Sequence, residues 1–192
     1  MAMKIVFLLF VLSSYSNGFS QNVVLPNESA QEWLDSFWVN VDRVVGKKMN
    51  QFSATSNNGI FYNNDSLKGK VTLINFWFTS CPGCVGEVKL LNRLYDSLKQ
   101  DARFRLLAFT FDSPEVVTDT KDKYQLNYEL ISVTEGECRL LNFNFGYPTN
   151  LVVDTSGTIT CIQTGGPPDP SNPRRARGFE DVIIPALGKL LK

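Results

Sequence analysis

Two cysteines separated by two residues are the side chains of this sequence best suited to covalent chemistry. They are Cys81 and Cys84, and they stand between an apolar run and a segment whose apolar residues recur at helical intervals. Cysteines at this spacing occur in redox enzymes, in zinc sites and at haem attachment sites. The pair is therefore a redox centre, half of a metal site, or a disulfide that merely holds a turn.

The composition disfavours the metal and haem interpretations. The chain contains no histidine, and Val85 occupies the position at which a haem attachment motif has one. A structural zinc site takes four ligands, and the two remaining cysteines, Cys138 and Cys161, lie far apart along the chain. We therefore expect no bound metal, and no cofactor beyond a redox-active disulfide between Cys81 and Cys84.

A redox role gives each position of Cys81-Pro82-Gly83-Cys84 a physical reason. The thiolate is the reactive form of cysteine, and the N–H groups and positive dipole end of a helix N-terminus stabilise it. Cys81 comes just before a predicted helix, so we expect it to attack a substrate disulfide and Cys84 to resolve the mixed disulfide. Pro82 restricts the loop and Gly83 permits a tight turn, and we expect both at the substrate-binding surface.

Glu87 is the candidate proton acceptor for the resolving step. Cys84 must lose its proton before it attacks, and Glu87 lies one helical turn beyond it on the same face of the predicted helix. An acidic residue in the first turn of a helix also stabilises that helix through its dipole. The spacing leaves both roles open.

The remaining elements must bring these residues to one end of a sheet. The run from Val71 to Phe78 predicts a central strand buried on both faces, and the residues from Val88 to Leu98 predict an amphipathic helix. A second buried strand is predicted from Phe104 to Phe111, a short helix from Cys138 to Phe145, and a hairpin from Asn150 to Gln163. This order predicts an α/β fold with a mixed central β-sheet flanked by helices.

The N-terminal residues predict export. Lys4 precedes an apolar stretch from Ile5 to Leu12, and a cleavage site is expected between Ser20 and Gln21. We therefore predict a signal peptide at residues 1–20, with a retained N-terminal anchor as the alternative, and a periplasmic location.

A helical extension is predicted at residues 21–44. Its apolar residues, which include Trp33 and Phe37, recur at helical intervals. We expect this helix to pack on the main domain rather than to line a binding groove with its aromatic residues.

Three separate motifs resemble one known family, the TlpA/ResA-like thiol-disulfide oxidoreductases of the thioredoxin-like redoxin (AhpC/TSA) group. The motifs are "LKGKVTLINFWFTSCPGC", the strand from Phe104 to Asp112, and "FGYPTNLVVDTSGTI", and they occur in the order of the family. The resemblance covers Val45 to Lys192. It implies a thioredoxin-like domain at residues 45–192.

The resemblance also implies roles for residues outside the cysteine motif. Pro148 matches the cis-proline that the family places opposite the cysteines, and the backbone of Tyr147 would receive the substrate peptide. Trp77 corresponds to the aromatic residue before the active site, which packs beneath the disulfide or shapes the docking surface. Asn75 stands where thioredoxin has a buried aspartate, and Glu87 corresponds to the acid of the family, which favours its role as base.

The function that the resemblance implies is reduction of protein disulfides, with electrons from a membrane thiol donor. The chain has 19 Lys+Arg and 19 Asp+Glu, so it lacks the basic character of a nucleic-acid binder. A peroxiredoxin-like thiol peroxidase is an alternative, although Phe78 stands three positions before Cys81, where such enzymes have Thr or Ser. A further alternative is a non-enzymatic binding module with a structural disulfide.

Cys138 and Cys161 have two possible roles. Cys138 opens the short predicted helix and Cys161 lies in the middle of a predicted hairpin strand. They either form a structural disulfide or serve separately as small buried apolar residues.

Overall fold

The computed structural model describes residues 30–165 and 178–192. The helices within these ranges are α1 Ala30–Val44, α2 Asn64–Leu67, α3 Pro82–Leu98, α4 Pro114–Tyr124, α5 Glu135–Leu141 and α6 Phe179–Leu190. The strands are β1 Ser53–Thr55, β2 Phe61–Asn63, β3 Val71–Phe76, β4 Phe104–Thr110, β5 Glu129–Ser132, β6 Thr149–Val153 and β7 Ile159–Thr164. The predicted signal peptide at residues 1–20 lies outside the described residues. Within the described ranges, no helix has both the length and the apolar character needed to cross a membrane.

Five strands form the central sheet, in the order β5-β4-β3-β6-β7. β4 runs parallel to both β3 and β5, while β6 runs antiparallel to both β3 and β7. Every residue of β3 is buried, as expected for the apolar run at the centre of a sheet that is covered on both faces. The predicted α/β fold with a mixed central sheet is confirmed.

The alternation of side chains along the strands divides the core into two clusters. On the α3 face, Leu73 and Leu106 pack with apolar residues of α3 and α6. On the α5 face, Ile74 and Leu107 pack with apolar residues of α1 and α5. Each of these four side chains is at least 99% buried, and full burial of such a side chain contributes about 1.5–3 kcal/mol to stability. The sheet is therefore a rigid platform, and its α3 face carries the cysteine motif.

α1 packs on the α5 face of the sheet. Val41 and Val44 are buried in the cluster there, and the Phe37 ring meets the Phe145 ring at a centroid distance of 5.7 Å. This confirms the prediction of a helix before residue 45 that packs on the main domain. The boundaries of the domain stay a prediction.

α5 begins earlier than the sequence predicted, at Glu135 instead of Cys138. Thr134 caps it through a reciprocal pair of bonds: the Thr134 N–H donates to Glu137 Oε2 at 2.8 Å, and the Glu137 N–H donates to Thr134 Oγ1 at 3.2 Å. The helix also ends at Leu141, because two residues with left-handed backbone angles follow shortly after it.

Candidate active site

The two cysteines of the motif form a disulfide at the N-terminus of α3, with an S–S distance of 2.11 Å. Cys81 is the N-cap of the helix, and Pro82 follows at the first helical position, where a missing N–H breaks no helical hydrogen bond. The Cys84 N–H donates to Cys81 Sγ at 3.1 Å. This bond and the helix dipole both stabilise a thiolate on Cys81 after reduction, which suits Cys81 to the attacking role.

Trp77 belongs to the same apolar cluster as the two cysteines. It is 5% exposed, as is Cys81, while Cys84 is 3% exposed. This burial agrees with packing of Trp77 beneath the disulfide, and the role of Trp77 in shaping the docking surface stays a prediction.

Asp112 anchors the loop that precedes the cysteines, and it was not predicted from the sequence. Its Oδ2 accepts hydrogen bonds from the Thr79 N–H and from Thr79 Oγ1, both at 2.7 Å. Thr79 Oγ1 also lies 3.1 Å from Thr120 Oγ1. A polar residue just beyond the carboxyl end of a buried parallel strand is the signal that would have indicated Asp112.

Three aromatic rings lie between this loop and the proline loop. Phe78 meets Phe111 at 5.1 Å and Tyr147 at 5.3 Å, and Phe111 meets Tyr147 at 5.6 Å. All three side chains are half-buried. The aromatic contacts fix the side chain of Tyr147, the residue whose backbone was predicted to receive a substrate.

Pro148 packs between the cysteine motif and the end of β7. The Tyr147–Pro148 peptide bond is cis, as the resemblance implied. A Cβ atom on Gly83 would lie 3.2 Å from Pro148 Cδ, and one on Gly165 would lie only 2.6 Å from the same atom. The Gly165 N–H also donates to the Pro148 carbonyl at 2.7 Å. Gly165 is therefore a further site residue that sequence reasoning missed, because it lies just beyond β7, where a glycine is an ordinary loop residue.

Glu87 lies on α3 one turn beyond Cys84, and its carboxyl group is held from the sheet. Glu87 Oε2 accepts a hydrogen bond of 2.9 Å from Asn150 Nδ2 on β6. Burial raises the pKa of Glu87 above its usual value, and hydrogen bonds from Asn150 and Gln163 partly oppose this rise. A carboxyl group with a raised pKa is a stronger base, which suits Glu87 to accept a thiol proton.

The predicted disulfide between Cys138 and Cys161 is wrong, because both residues are thiols in the structure. They lie on opposite faces of the sheet. Cys138 is buried on the α5 face near Tyr147, and burial raises the pKa of its thiol to about 11. Cys161 packs on the α3 face, where its Sγ lies 3.8 Å from the Val182 carbonyl of α6. The alternative prediction, that they act separately as small apolar residues, agrees with these positions.

The described part of the chain offers thiol chemistry at this site. Across residues 30–165 and 178–192, no three His, Cys, Asp or Glu side chains are grouped so that they could hold a metal ion. The site instead combines a disulfide at a helix N-terminus, a proline loop packed against it and a half-buried carboxyl group on the same helix. These are the parts that thiol-disulfide exchange needs: a stabilised thiolate, a second thiol and a proton acceptor.

Comparison with known proteins agrees with this geometry. The thiol-disulfide oxidoreductase ResA of Halalkalibacterium halodurans is 29% identical over 106 residues, which cover 52% of this chain and 57% of that protein. The thiol:disulfide interchange protein DsbE of Vibrio cholerae is 27% identical over 152 residues, which cover 77% of this chain and 76% of that protein. The chain thus spans less than two thirds of the length of the ResA relative.

The fold and the family are both shown by similarity. The crystal structure of a thiol:disulfide interchange protein of the thioredoxin family from Chlorobium tepidum aligns with a TM-score of 0.60 at 22% identity, and covers 77% of this chain and 97% of that chain. This likeness confirms the predicted thioredoxin-like fold. Residues 45–162 match the AhpC/TSA family, which is more than half of the 192 residues. The chain therefore belongs to the AhpC/TSA family.

Proposed function

We propose that this protein is an exported thiol-disulfide oxidoreductase that reduces disulfides in other proteins. The observation that carries the proposal is the Cys81–Cys84 disulfide at the N-terminus of α3, with Pro148 packed against Gly83 of the same motif. Among the relatives, ResA is a thiol-disulfide oxidoreductase and DsbE a thiol:disulfide interchange protein, which supports the same kind of reaction. The predicted signal peptide supports export.

The reaction begins with the reduced enzyme. The Cys81 thiolate attacks one sulfur of a substrate disulfide, a mixed disulfide forms, and the other substrate sulfur leaves as a thiolate. Cys84 then gives up its proton and attacks Cys81. The Cys81–Cys84 disulfide forms, and the second substrate sulfur leaves as a thiolate that takes up a proton. The substrate gains two electrons and the enzyme loses two.

Glu87 is the group that accepts the proton of Cys84 in this scheme. It lies one helical turn from Cys84, and burial raises its pKa. A base whose pKa lies closer to the working pH takes a thiol proton more effectively than an ordinary carboxylate does.

The substrate is an extended polypeptide segment that meets the enzyme at the proline loop. The Pro148 carbonyl already accepts a hydrogen bond from Gly165, so Tyr147 is the residue of this loop that we expect to pair with the substrate backbone. Phe78 and Phe111, which contact the Tyr147 ring, extend this surface.

The enzyme leaves each cycle oxidised and needs an electron donor. We propose a thiol donor in the membrane, in line with the predicted export, and no cofactor other than the disulfide itself. The donor must hand over two electrons by the same exchange chemistry, because Cys81 and Cys84 are the only redox groups that the scheme uses.

Trapping of the mixed disulfide tests the function directly. A Cys84→Ser variant of the reduced protein, mixed with a disulfide-bonded peptide, is expected to accumulate a covalent adduct that mass spectrometry assigns to Cys81. A Cys81→Ser variant is the matched control and is expected to form none. Equal activity of Cys81→Ser and wild type would show that the disulfide is structural. Rapid turnover of hydrogen peroxide with no peptide adduct would identify a thiol peroxidase instead.

A further inference from the structure

A row of three amide side chains crosses the sheet directly beneath Glu87. Asn75 of β3 is the register partner of Asn150 of β6, and Asn150 is the register partner of Gln163 of β7. Asn75 is 2% exposed and Asn150 is fully buried. Buried amides are costly unless they are hydrogen-bonded, so their arrangement here follows from the partners that they find.

The side-chain amide of Asn150 uses both of its N–H hydrogens and one of its two oxygen lone pairs in hydrogen bonds within and beside the row. Asn150 Oδ1 accepts from Asn75 Nδ2 at 2.8 Å. Asn150 Nδ2 donates one hydrogen to Glu87 Oε2 at 2.9 Å and the other to Gln163 Oε1 at 2.7 Å. An amide nitrogen has two hydrogens, so both are committed.

The orientation of the row follows from the carboxylate. An ionised carboxylate only accepts hydrogen bonds, so Asn150 must turn its N–H groups toward Glu87. Its carbonyl oxygen then faces Asn75, which must donate. A reversed Asn150 would place its oxygen against a carboxylate oxygen, and the buried site would lose a charge-assisted bond.

We propose that Asn150 is a positioning residue for Glu87: its N–H group holds Glu87 Oε2 and so orients the carboxylate that takes the proton from Cys84. This inference rests on the proposed function for the step that it serves. In that step the Cys84 S–H bond breaks, an O–H bond forms on the Glu87 carboxylate, and the Cys84 thiolate then attacks Cys81 and expels the substrate thiolate. The proton on Glu87 passes to solvent before the next cycle.

Burial and the amide row together set the protonation of Glu87, because few titratable groups on the described elements face it. On its own helix these groups are Cys81 and Cys84, which titrate only after their disulfide is reduced. Tyr128 lies just before β5 on the same face, and the charge of Glu87 contributes to its raised pKa. β7 adds Cys161, two residues before Gln163, while the described residues of β3 and β6 include no titratable side chain. The charged residues Glu180, Asp181 and Lys189 of α6 are exposed.

An Asn150→Ala variant tests the proposal through the titration of Glu87. The loss of the donor leaves burial unopposed, so the pKa of Glu87 is expected to rise further. Carboxyl ¹³C NMR of the oxidised protein measures this value, with the resonance assigned by its absence in Glu87→Gln. In the reduced protein, the pH profile of substrate release from the mixed disulfide is expected to move upward by the same amount. On the acidic side of the profile the rate is expected to fall about tenfold, the change that one pKa unit produces.

Asn92→Ala is the matched control. Asn92 lies on the same helix as Glu87, is partly buried and donates one hydrogen bond, from its Nδ2 to the Tyr124 carbonyl at 3.1 Å. Its hydrogen bond joins it to the end of α4 and not to the amide row, so its loss is expected to lower stability while the pKa of Glu87 and the pH profile stay unchanged. An equal shift of the Glu87 pKa in Asn92→Ala would show that Asn150 has only a structural role. An unchanged Glu87 pKa in Asn150→Ala would overturn the proposal.

Gln163→Leu is a second test variant, needed if Asn150→Ala does not fold. Gln163 lies on an edge strand and is only half-buried, so the variant is expected to fold, and the pKa of Glu87 is again expected to rise. An unchanged value in this variant would contradict the role of the row. The NMR titration needs no substrate, so it tests the positioning role of Asn150 separately from the proposed function. If wild type showed no exchange activity, that result would reject the proposed function but not the positioning role.

Discussion

Replacement of Gly165 by alanine tests the packing of the proline loop against the cysteine motif. The added Cβ would lie 2.6 Å from Pro148 Cδ and 3.2 Å from the Pro148 nitrogen. Carbon atoms in contact ordinarily lie about 3.5–4.0 Å apart, so the proline or the end of β7 must move by roughly 1 Å. Overpacking of this kind costs about 1–3 kcal/mol of stability. A displacement of about 1 Å in a reacting site can slow the reaction by up to about a hundredfold.

Two assays measure these effects. Urea denaturation of the oxidised protein gives the change in the free energy of unfolding. The rate of mixed-disulfide formation between the Cys84→Ser protein and a disulfide-bonded peptide gives the effect on substrate attack, since Pro148 lies beside the attacking motif. We expect Gly165→Ala to lose about 1–3 kcal/mol in the first assay and about 10- to 100-fold in the second.

Two other glycines supply the controls. Gly86 lies inside α3 with no atom within 4 Å of an added Cβ, so Gly86→Ala is expected to gain about 0.5–1 kcal/mol through its better helix propensity. The stability and the attack rate of Gly83→Ala are expected to lie between those of Gly165→Ala and Gly86→Ala, because its Cβ would lie 3.2 Å from Pro148 Cδ. If Gly165→Ala matched the stability and the attack rate of wild type, the close approach of Gly165 to Pro148 would not be what positions the loop.

Three further predictions follow from the site. Burial raises the pKa of Glu87 in the folded state, so this carboxyl group contributes stability below its unfolded pKa, and that stability is lost as the pH rises through its folded pKa. Glu87→Gln is therefore expected to be more stable than wild type at pH 7 but not at pH 4. Urea denaturation at the two pH values measures this difference. Asp112→Ala is expected to lose about 1–3 kcal/mol of stability, because it removes the acceptor of two hydrogen bonds from Thr79. Asp112→Asn keeps an acceptor oxygen and is expected to lose less. Equal losses of the two variants in thermal melts would contradict this reasoning. Alkylation of the denatured, unreduced protein, read by mass spectrometry, is expected to label Cys138 and Cys161 and to leave the two motif cysteines unlabelled. A protein with no labelled cysteine would show that a second disulfide forms.

Local patterns in the sequence were sufficient for the framework of the site. The apolar run from Val71 predicted the buried central strand, and the change to helical spacing after Cys84 predicted the helix whose N-terminus carries the disulfide. Glu87 was placed one turn beyond Cys84 by helical geometry alone, and the structure puts it there. The cis bond before Pro148 came from the family resemblance rather than from any local pattern.

The pairing of Cys138 with Cys161 shows where such patterns fail. Each cysteine was placed in the right kind of element, but the face of the sheet that each element covers was not predicted. A one-residue change along a strand turns a side chain to the opposite face, and a helix covers whichever face its connections bring it to. The two thiols therefore ended on opposite sides of the sheet.

Neighbouring residues were enough to predict the chemistry of the motif and the elements that carry it, since helical and strand periodicity are local properties of a sequence. The distant residues that complete the site come together only in the folded chain. Asp112 lies 33 positions from Thr79, Asn150 lies 63 positions from Glu87, and Gly165 meets Pro148 across a hairpin. These contacts depend on strand order and register, which arise when the apolar faces of separate elements are buried together, and no short stretch of sequence encodes them.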